Sequence, residues 1–123
     1  MPRKLKPSLD SDTRPWGHWE ILSETASHEV KRITVRPGQR LSYQKHAHRR
    51  EHWFVAEGSG LATLDGSGVP LEPGDCLDIP AGSAHRIACA GPGDLILIEV
   101  AIGTYFGEDD IERIADDYGR AGR

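Results

Sequence analysis

Ten consecutive residues, Gln44-Lys45-His46-Ala47-His48-Arg49-Arg50-Glu51-His52-Trp53, hold three histidines, a glutamine, a carboxylate and two arginines. Imidazole and carboxylate donors at this density can bind a divalent cation. The flanks, with Leu41 on one side and Trp53, Phe54 and Val55 on the other, read as β-strands. Side chains two apart on a strand point the same way. Gln44, His46 and His48 therefore share a face if their strand stays regular, and Glu51, Trp53 and Val55 share one on the next. His52 has the opposite parity to Glu51 and reads as packed or solvent-facing. His18 and His28 stand apart from the cluster and read as surface residues.

A second donor lies downstream. Gly74-Asp75-Cys76-Leu77-Asp78-Ile79-Pro80-Ala81-Gly82-Ser83-Ala84-His85 has the form G-x5-P-x-G-x2-H, in which glycine and proline set turns and His85 opens a strand. Two donor sets are open: Gln44, His46, Glu51 and His85, or His46, His48, Glu51 and His85 with Gln44 behind them. Either is a mixed nitrogen and oxygen site. One divalent metal is expected, zinc first, with manganese, iron, cobalt and nickel also accepted by such donors.

The elements that position these donors are strands. Period-two patterning and turn signals predict strands over His18–Ser23, Glu29–Arg36, Arg40–Lys45, Glu51–Glu57, Gly60–Leu64, Val69–Leu71, Asp75–Ile79, His85–Cys89 and Leu95–Ala101. Pro37-Gly38, Asp65-Gly66, Pro73-Gly74 and Gly91-Pro92-Gly93 punctuate them. Short strands at this spacing predict an all-β sandwich or barrel. Arg14-Pro15-Trp16-Gly17 begins the ordered part, where Trp16 and Trp19 supply apolar surface and Arg14 can face a ligand. The predicted layout is a flexible arm over residues 1–12, a barrel over 13–106 and a tail over 107–123. In the tail, Asp109 to Glu112 resembles a helix cap, and Ile111, Ile114, Ala115 and Tyr118 follow helical spacing. That predicts a short helix over 110–117, ended by Gly119.

Bulk properties narrow the function. The chain has 123 residues, which fits one domain. With 15 Lys plus Arg against 19 Asp plus Glu, the net charge is -4, which argues against a nucleic-acid grip driven by charge. Cys76 and Cys89 lack CxxC spacing and read as reduced, buried thiols. No apolar run is long enough to span a membrane and the N-terminus lacks a signal-peptide core, so a cytoplasmic protein with no membrane partner is expected.

The two motifs together resemble the signature of the cupin superfamily, whose first motif usually reads H-x-H-x(3,4)-E-x6-G. Glu51 and Gly58 match its second half, and Gln44 stands where the first histidine is common. Q-x-H followed by Glu51 and Trp53 is similar to the metal site of phosphomannose isomerases. Arg14-Pro15-Trp16-Gly17, Val30 to Val35, Pro37-Gly38, Ile79-Pro80, His85-Arg86, Ile98-Glu99-Val100, Gly107 to Ile111 and Asp117 to Arg120 extend the resemblance, over roughly residues 13 to 120, to the type II phosphomannose isomerase domain. In many bacteria that domain is fused behind a guanylyltransferase, of which this sequence shows no glycine-rich nucleotide loop. Nucleotidyl transfer is not expected.

The resemblance implies a small double-stranded β-helix and interconversion of mannose 6-phosphate with fructose 6-phosphate through a cis-enediol. That reaction needs a Lewis acid on the sugar oxygens, a base, and cations for the phosphate of the hexose 6-phosphate. His48, Glu99 or a metal-bound hydroxide are candidates for the base, with Arg49 as a further catalytic candidate. Lys31, Arg32, Arg49, Arg50 and Arg86 are candidates for the phosphate. Small cupins also resemble homodimers that pair edge strands. A non-enzymatic sugar-phosphate-binding cupin is the alternative, and a cupin dioxygenase fits the glutamine and the isomerase-like motifs less well.

Overall fold

The computed structural model of the chain describes residues 10–118. Alternation and turn chemistry give two antiparallel sheets that enclose one interior. The strands are β1 (Asp10–Arg14), β2 (Gly17–Glu24), β3 (His28–Val35), β4 (Tyr43–His46), β5 (Arg49–Glu57), β6 (Gly60–Leu64), β7 (Ser67–Leu71), β8 (Cys76–Ile79), β9 (His85–Cys89), β10 (Leu95–Gly103) and β11 (Ile111–Ala115). One sheet runs β1-β2-β3-β10-β5-β8 and the other β11-β4-β9-β6-β7. This is the all-β double-stranded β-helix that the motifs imply. All nine expected strands are present, with ends shifted by at most three residues.

β5 and β10 show how the pattern works. On β5, Arg49, Glu51, Trp53 and Val55 are buried while Arg50, Phe54 and Ala56 are exposed. On β10, Leu95, Leu97, Glu99 and Ala101 are buried. The two strands pair with Glu99 opposite Trp53 and Ala101 opposite Glu51. The interior is therefore divided. Val35, Val55, Leu71, Ile79, Ile87, Leu95 and Leu97 fill one end. Glu51, Glu99, His46, His85 and Arg49 occupy the other, all buried. Packing of the apolar end holds the strands in register, and the polar end inherits that register.

Gly58 closes β5 with φ 79°, and a Cβ there would lie 2.3 Å from the carbonyl oxygen of Asp94. Both the left-handed backbone and the close approach require glycine. Gly58→Ala is expected to destabilise the fold by about 3 kcal/mol, read as a lowered midpoint in urea at unchanged m-value.

Both ends of the chain depart from expectation. Asp10–Arg14 pairs with β2, so residues 10–12 of the expected arm lie in the sheet. Residues 1–9, and Gly119 with Arg120, fall outside the described residues. The predicted tail helix does not form. Glu108–Asp110 is a single 3₁₀ turn, and Ile111–Ala115 is a strand that pairs with β4. The reason is the open flank of β4, whose backbone groups need a partner. Strand pairing supplies it, with Ile111 opposite His46 and Arg113 opposite Gln44. Cys76 is also exposed, against the expectation of two buried thiols, because it opens the edge strand β8; Cys89 is buried, and both thiols are free. No helix among the described residues is long and apolar enough to cross a membrane.

Candidate metal centre

Three donors from three strands converge in the polar end. His46 ends β4, Glu51 lies near the start of β5 and His85 opens β9. Their ligating atoms all lie within 4.8 Å of one another. His46 Nδ1 is 3.5 Å from Glu51 Oε2, and His85 Nε2 is 3.7 Å from Glu51 Oε1. His46 and His85 stack with ring centroids 5.2 Å apart, and Trp53 meets His85 edge-on at 5.7 Å.

The protonation state of the imidazoles favours metal binding. Burial pushes His46 down to about 3, helped by the nearby Arg49 and His85. Burial likewise lowers His85. Both rings are therefore neutral near pH 7 and keep a lone pair. His85 Nδ1 donates to the carbonyl of Ser83 at 2.9 Å, which leaves the Nε2 lone pair facing Glu51. Two acceptors at 3.7 Å with no proton between them form a cradle for a cation. Two neutral imidazoles and a carboxylate suit zinc and the later first-row metals.

A layer of donors orients the carboxylate. Trp53 Nε1 donates to Glu51 Oε1 at 3.0 Å, and Arg49 Nε donates to Oε2 at 3.0 Å. Arg49 Nη2 also donates to His46 Nε2 at 2.9 Å. Metal binding through His46 uses that lone pair or shifts the ring to its other tautomer. Arg49 is 5% exposed. Burial acts to lower it, but Glu99, Glu51 and Glu29 outweigh burial and hold it above its ordinary value. Gln44 lines the same cleft and donates its amide to Ser42 Oγ at 2.9 Å. With the nitrogen end of its amide on Ser42, Gln44 has its oxygen left to offer as an acceptor.

The donors face a cleft with about 630 Å³ of empty space counting its open mouth. Glu99, Lys31, Arg49, Arg86, Arg14 and Arg113 are its charged wall beyond the donors. Glu99 is buried, and its Oε2 has no hydrogen-bond partner. Burial first, and then Glu51, push its carboxyl up to about 7 against the pull of Lys31 and Arg49. Lys31 faces it across the β3–β10 pair, lies 3.5 Å from Glu29 and sits 4.9 Å over the ring of Trp19.

Several expected residues lie elsewhere. His48 does not enter the cleft: β4 stops at His46, and the chain bends through Ala47 and His48 before β5 begins. The Asp110 carboxylate accepts both backbone N–H groups of that bend and leaves the His48 ring 59% exposed. Arg32 points outward from β3 and pairs with Glu20 at 2.7 Å. Arg50 points outward from β5 into a shallow groove beside His52 and Asp78. Neither faces the donors, because each has the wrong strand parity. Arg86 borders the cleft, yet its Nε is committed to the Leu41 carbonyl at 3.0 Å. His52 sits on the outer face and bonds Asp78 at 2.6 Å.

Sequence reasoning missed Arg113 and Ser42. Once residues 111–115 are read as a strand, Ile111 and Arg113 fall on the face that closes the cleft. Ser42 carries no such signal.

Glu29, on β3 below Lys31, gives the fold a pH signature. Burial, then Glu24, push its carboxyl up to about 7, while Lys31 and Arg49 oppose the rise. Its ordinary value is 4.5. Between these values the folded chain holds a proton that the unfolded chain has lost. Stability therefore falls as pH rises through that window and levels off above it. Glu29→Gln is expected to flatten this slope, gaining on the order of 2 kcal/mol relative to the parent at pH 8 in denaturant titrations from pH 4 to 9.

Comparison with known proteins places the chain. The family model for the mannose-6-phosphate isomerase C-terminal domain matches residues 4–116. The alginate biosynthesis protein AlgA of Pseudomonas aeruginosa is 47% identical over 107 residues, 87% of this chain and 22% of that protein. A mannose-1-phosphate guanylyltransferase of Escherichia coli is 45% identical over 107 residues, with the same coverage of 87% and 22%. The chain thus spans about a fifth of the length of these relatives. Among solved structures, the capsular polysaccharide assembling protein CapF of Staphylococcus aureus superposes with TM-score 0.77 at 19% identity, covering 87% of this chain and 34% of that one. An uncharacterized Klebsiella pneumoniae protein with a double-stranded β-helix domain superposes with TM-score 0.67 at 25% identity, covering 72% and 77%. With nearly its whole length matched, the chain belongs to the mannose-6-phosphate isomerase C-terminal family of cupin-fold domains.

Proposed function

We propose that the chain is a metal-dependent isomerase that interconverts mannose 6-phosphate and fructose 6-phosphate. The observation that carries the reading is the buried triad of His46, Glu51 and His85 opening onto a cleft that also holds Glu99. His46, Glu51 and His85, with Gln44 beside them, would hold the divalent ion. When bound, that ion supplies Lewis-acid polarisation of the sugar oxygens.

The other parts belong to the chain. Isomerisation removes a proton from C2 of the open-chain aldose and delivers one to C1, while a hydroxyl proton passes from O2 to O1. Glu99 is placed for the carbon-bound proton: it lines the cleft, has an uncommitted oxygen and sits on the strand beside Glu51. Lys31 lies on the opposing strand, where its ammonium steadies the carboxylate form. Trp16, Trp19 and Ile33 line the cleft and limit water at the reacting carbons.

A coupled assay tests this. Formation of fructose 6-phosphate from mannose 6-phosphate is expected with added zinc, manganese, cobalt or nickel, and is expected to vanish with EDTA. Binding of the sugar phosphate without turnover under every metal would instead favour the non-enzymatic cupin.

A further inference from the structure

We infer that Arg113 forms the phosphate end of the cleft. This rests on the reading that the cleft takes a hexose 6-phosphate, and it adds which end of the molecule goes where.

Gln44 pairs with His85 across β4 and β9, and Arg113 pairs with Gln44 across β11 and β4. Paired residues of an antiparallel ladder share a face. His85, Gln44 and Arg113 therefore form one row across three strands, all lining the cleft. Two strand spacings separate the ends of that row, about 10 Å between backbones. That separation suits a six-carbon chain with its carbonyl end at the triad and its ester at Arg113.

Charge distinguishes Arg113 from the other cations of the cleft. Arg49 donates to Glu51. Lys31 lies 3.5 Å from Glu29, and Arg14 pairs with Asp12. The Arg86 Nε is taken by a backbone carbonyl, and its Nη2, which also lacks a hydrogen-bond partner, lies 4.0 Å from the Asp117 carboxylate. Arg113 enters no ion pair among the described residues, and its Nε is buried without a hydrogen-bond partner. A half-buried guanidinium with an unmet N–H is costly unless an anion meets it. Its planar fork matches two phosphate oxygens. Arg113 is also the last regularly paired residue of β11, since the register shifts between Arg113 and Ala115. The strand thus delivers Ile111 and then Arg113 to the cleft before its register shifts.

Isothermal titration calorimetry on the metal-loaded full chain tests the assignment. Mannose 6-phosphate and inorganic phosphate are titrated against the parent, Arg113→Met and Arg113→Lys, with unphosphorylated mannose as control. Arg113→Met is expected to weaken both phosphate ligands by about 30-fold or more, with metal content and mannose affinity unchanged. Arg113→Lys is expected to recover part of the loss. Wild-type phosphate affinity in Arg113→Met overturns the proposal, as does a parent chain that binds neither phosphate ligand. If Arg113→Met does not fold in a thermal melt, Arg113→Gln takes its place under the same criteria. A parent chain that binds phosphate through Arg113 yet never turns over mannose 6-phosphate leaves this assignment standing and removes the isomerase reading.

Discussion

His85→Ala is expected to strip the chain of bound divalent metal and to lower mannose 6-phosphate turnover by about a thousandfold or more. His85 supplies one of the three convergent donors, and its tautomer is set by the Ser83 carbonyl so that Nε2 faces Glu51. Removing it leaves one imidazole and one carboxylate, of which His46 is already shared with Arg49. Groups that only orient a metal ligand are worth about 10–100-fold in affinity, so loss of a donor itself exceeds that. The loss of Lewis-acid stabilisation is worth several kcal/mol, and each 1.36 kcal/mol is about tenfold in rate. Elemental analysis and the coupled assay read the two effects. His18→Ala, an exposed histidine on β2, is expected to keep both metal and turnover. If His85→Ala retains stoichiometric metal, the donor assignment is wrong.

Arg49→Met is expected to cost about 3–5 kcal/mol of stability in the metal-free chain and to lower Tm by about 10 °C or more. The guanidinium is buried and contacts Glu51, His46 and the Phe106 carbonyl, while Glu99 and Glu29 lie within its field. Methionine fills much of its volume, so the loss reports charge rather than a cavity. Without Arg49 the buried carboxylates lose one of the two cations, with Lys31, that most favour their charged forms. The sign of the pH dependence follows. Glu99 and Glu29 already sit at about 7, and loss of a neighbouring cation raises both further. Protonation at low pH relieves the repulsion, so the penalty is expected to shrink towards pH 5 and to be full above pH 8. A divalent metal at the triad replaces part of the missing charge, and metal addition is expected to restore part of the lost Tm. A pH-independent penalty that metal does not touch would mean that Arg49 acts through packing alone.

The strands were legible because two-residue alternation and glycine or proline turns agree along most of this chain. Asp65-Gly66 illustrates it: both residues take positive φ, 47° and 84°, in the turn joining β6 to β7. The pairing of Glu51 with His46 and His85 was legible through the two motifs, since a register set by an apolar core carries its polar residues along. Three readings failed for physical reasons. His48 was placed by parity on a strand that ends two residues earlier, and parity carries no information across a bend. Arg32 lies on a neighbouring strand and Arg50 within the donor stretch itself, but alternation sends both side chains outward. In the tail, Ile111, Ile114, Ala115 and Tyr118 fit a helical period, but the open side of β4 offered a better partner. That last error hid Arg113, which only a strand brings to the cleft.

The metal-loaded chain is expected to move a proton between C1 and C2 of a hexose 6-phosphate. Proton NMR of mannose 6-phosphate incubated in D2O with the metal-loaded chain tests it most directly. The resonances of fructose 6-phosphate are expected, together with metal-dependent loss of proton signal at the exchanged carbon, both abolished by EDTA. An unchanged mannose 6-phosphate spectrum, with zinc, manganese, cobalt or nickel shown to be bound to the triad, would contradict it.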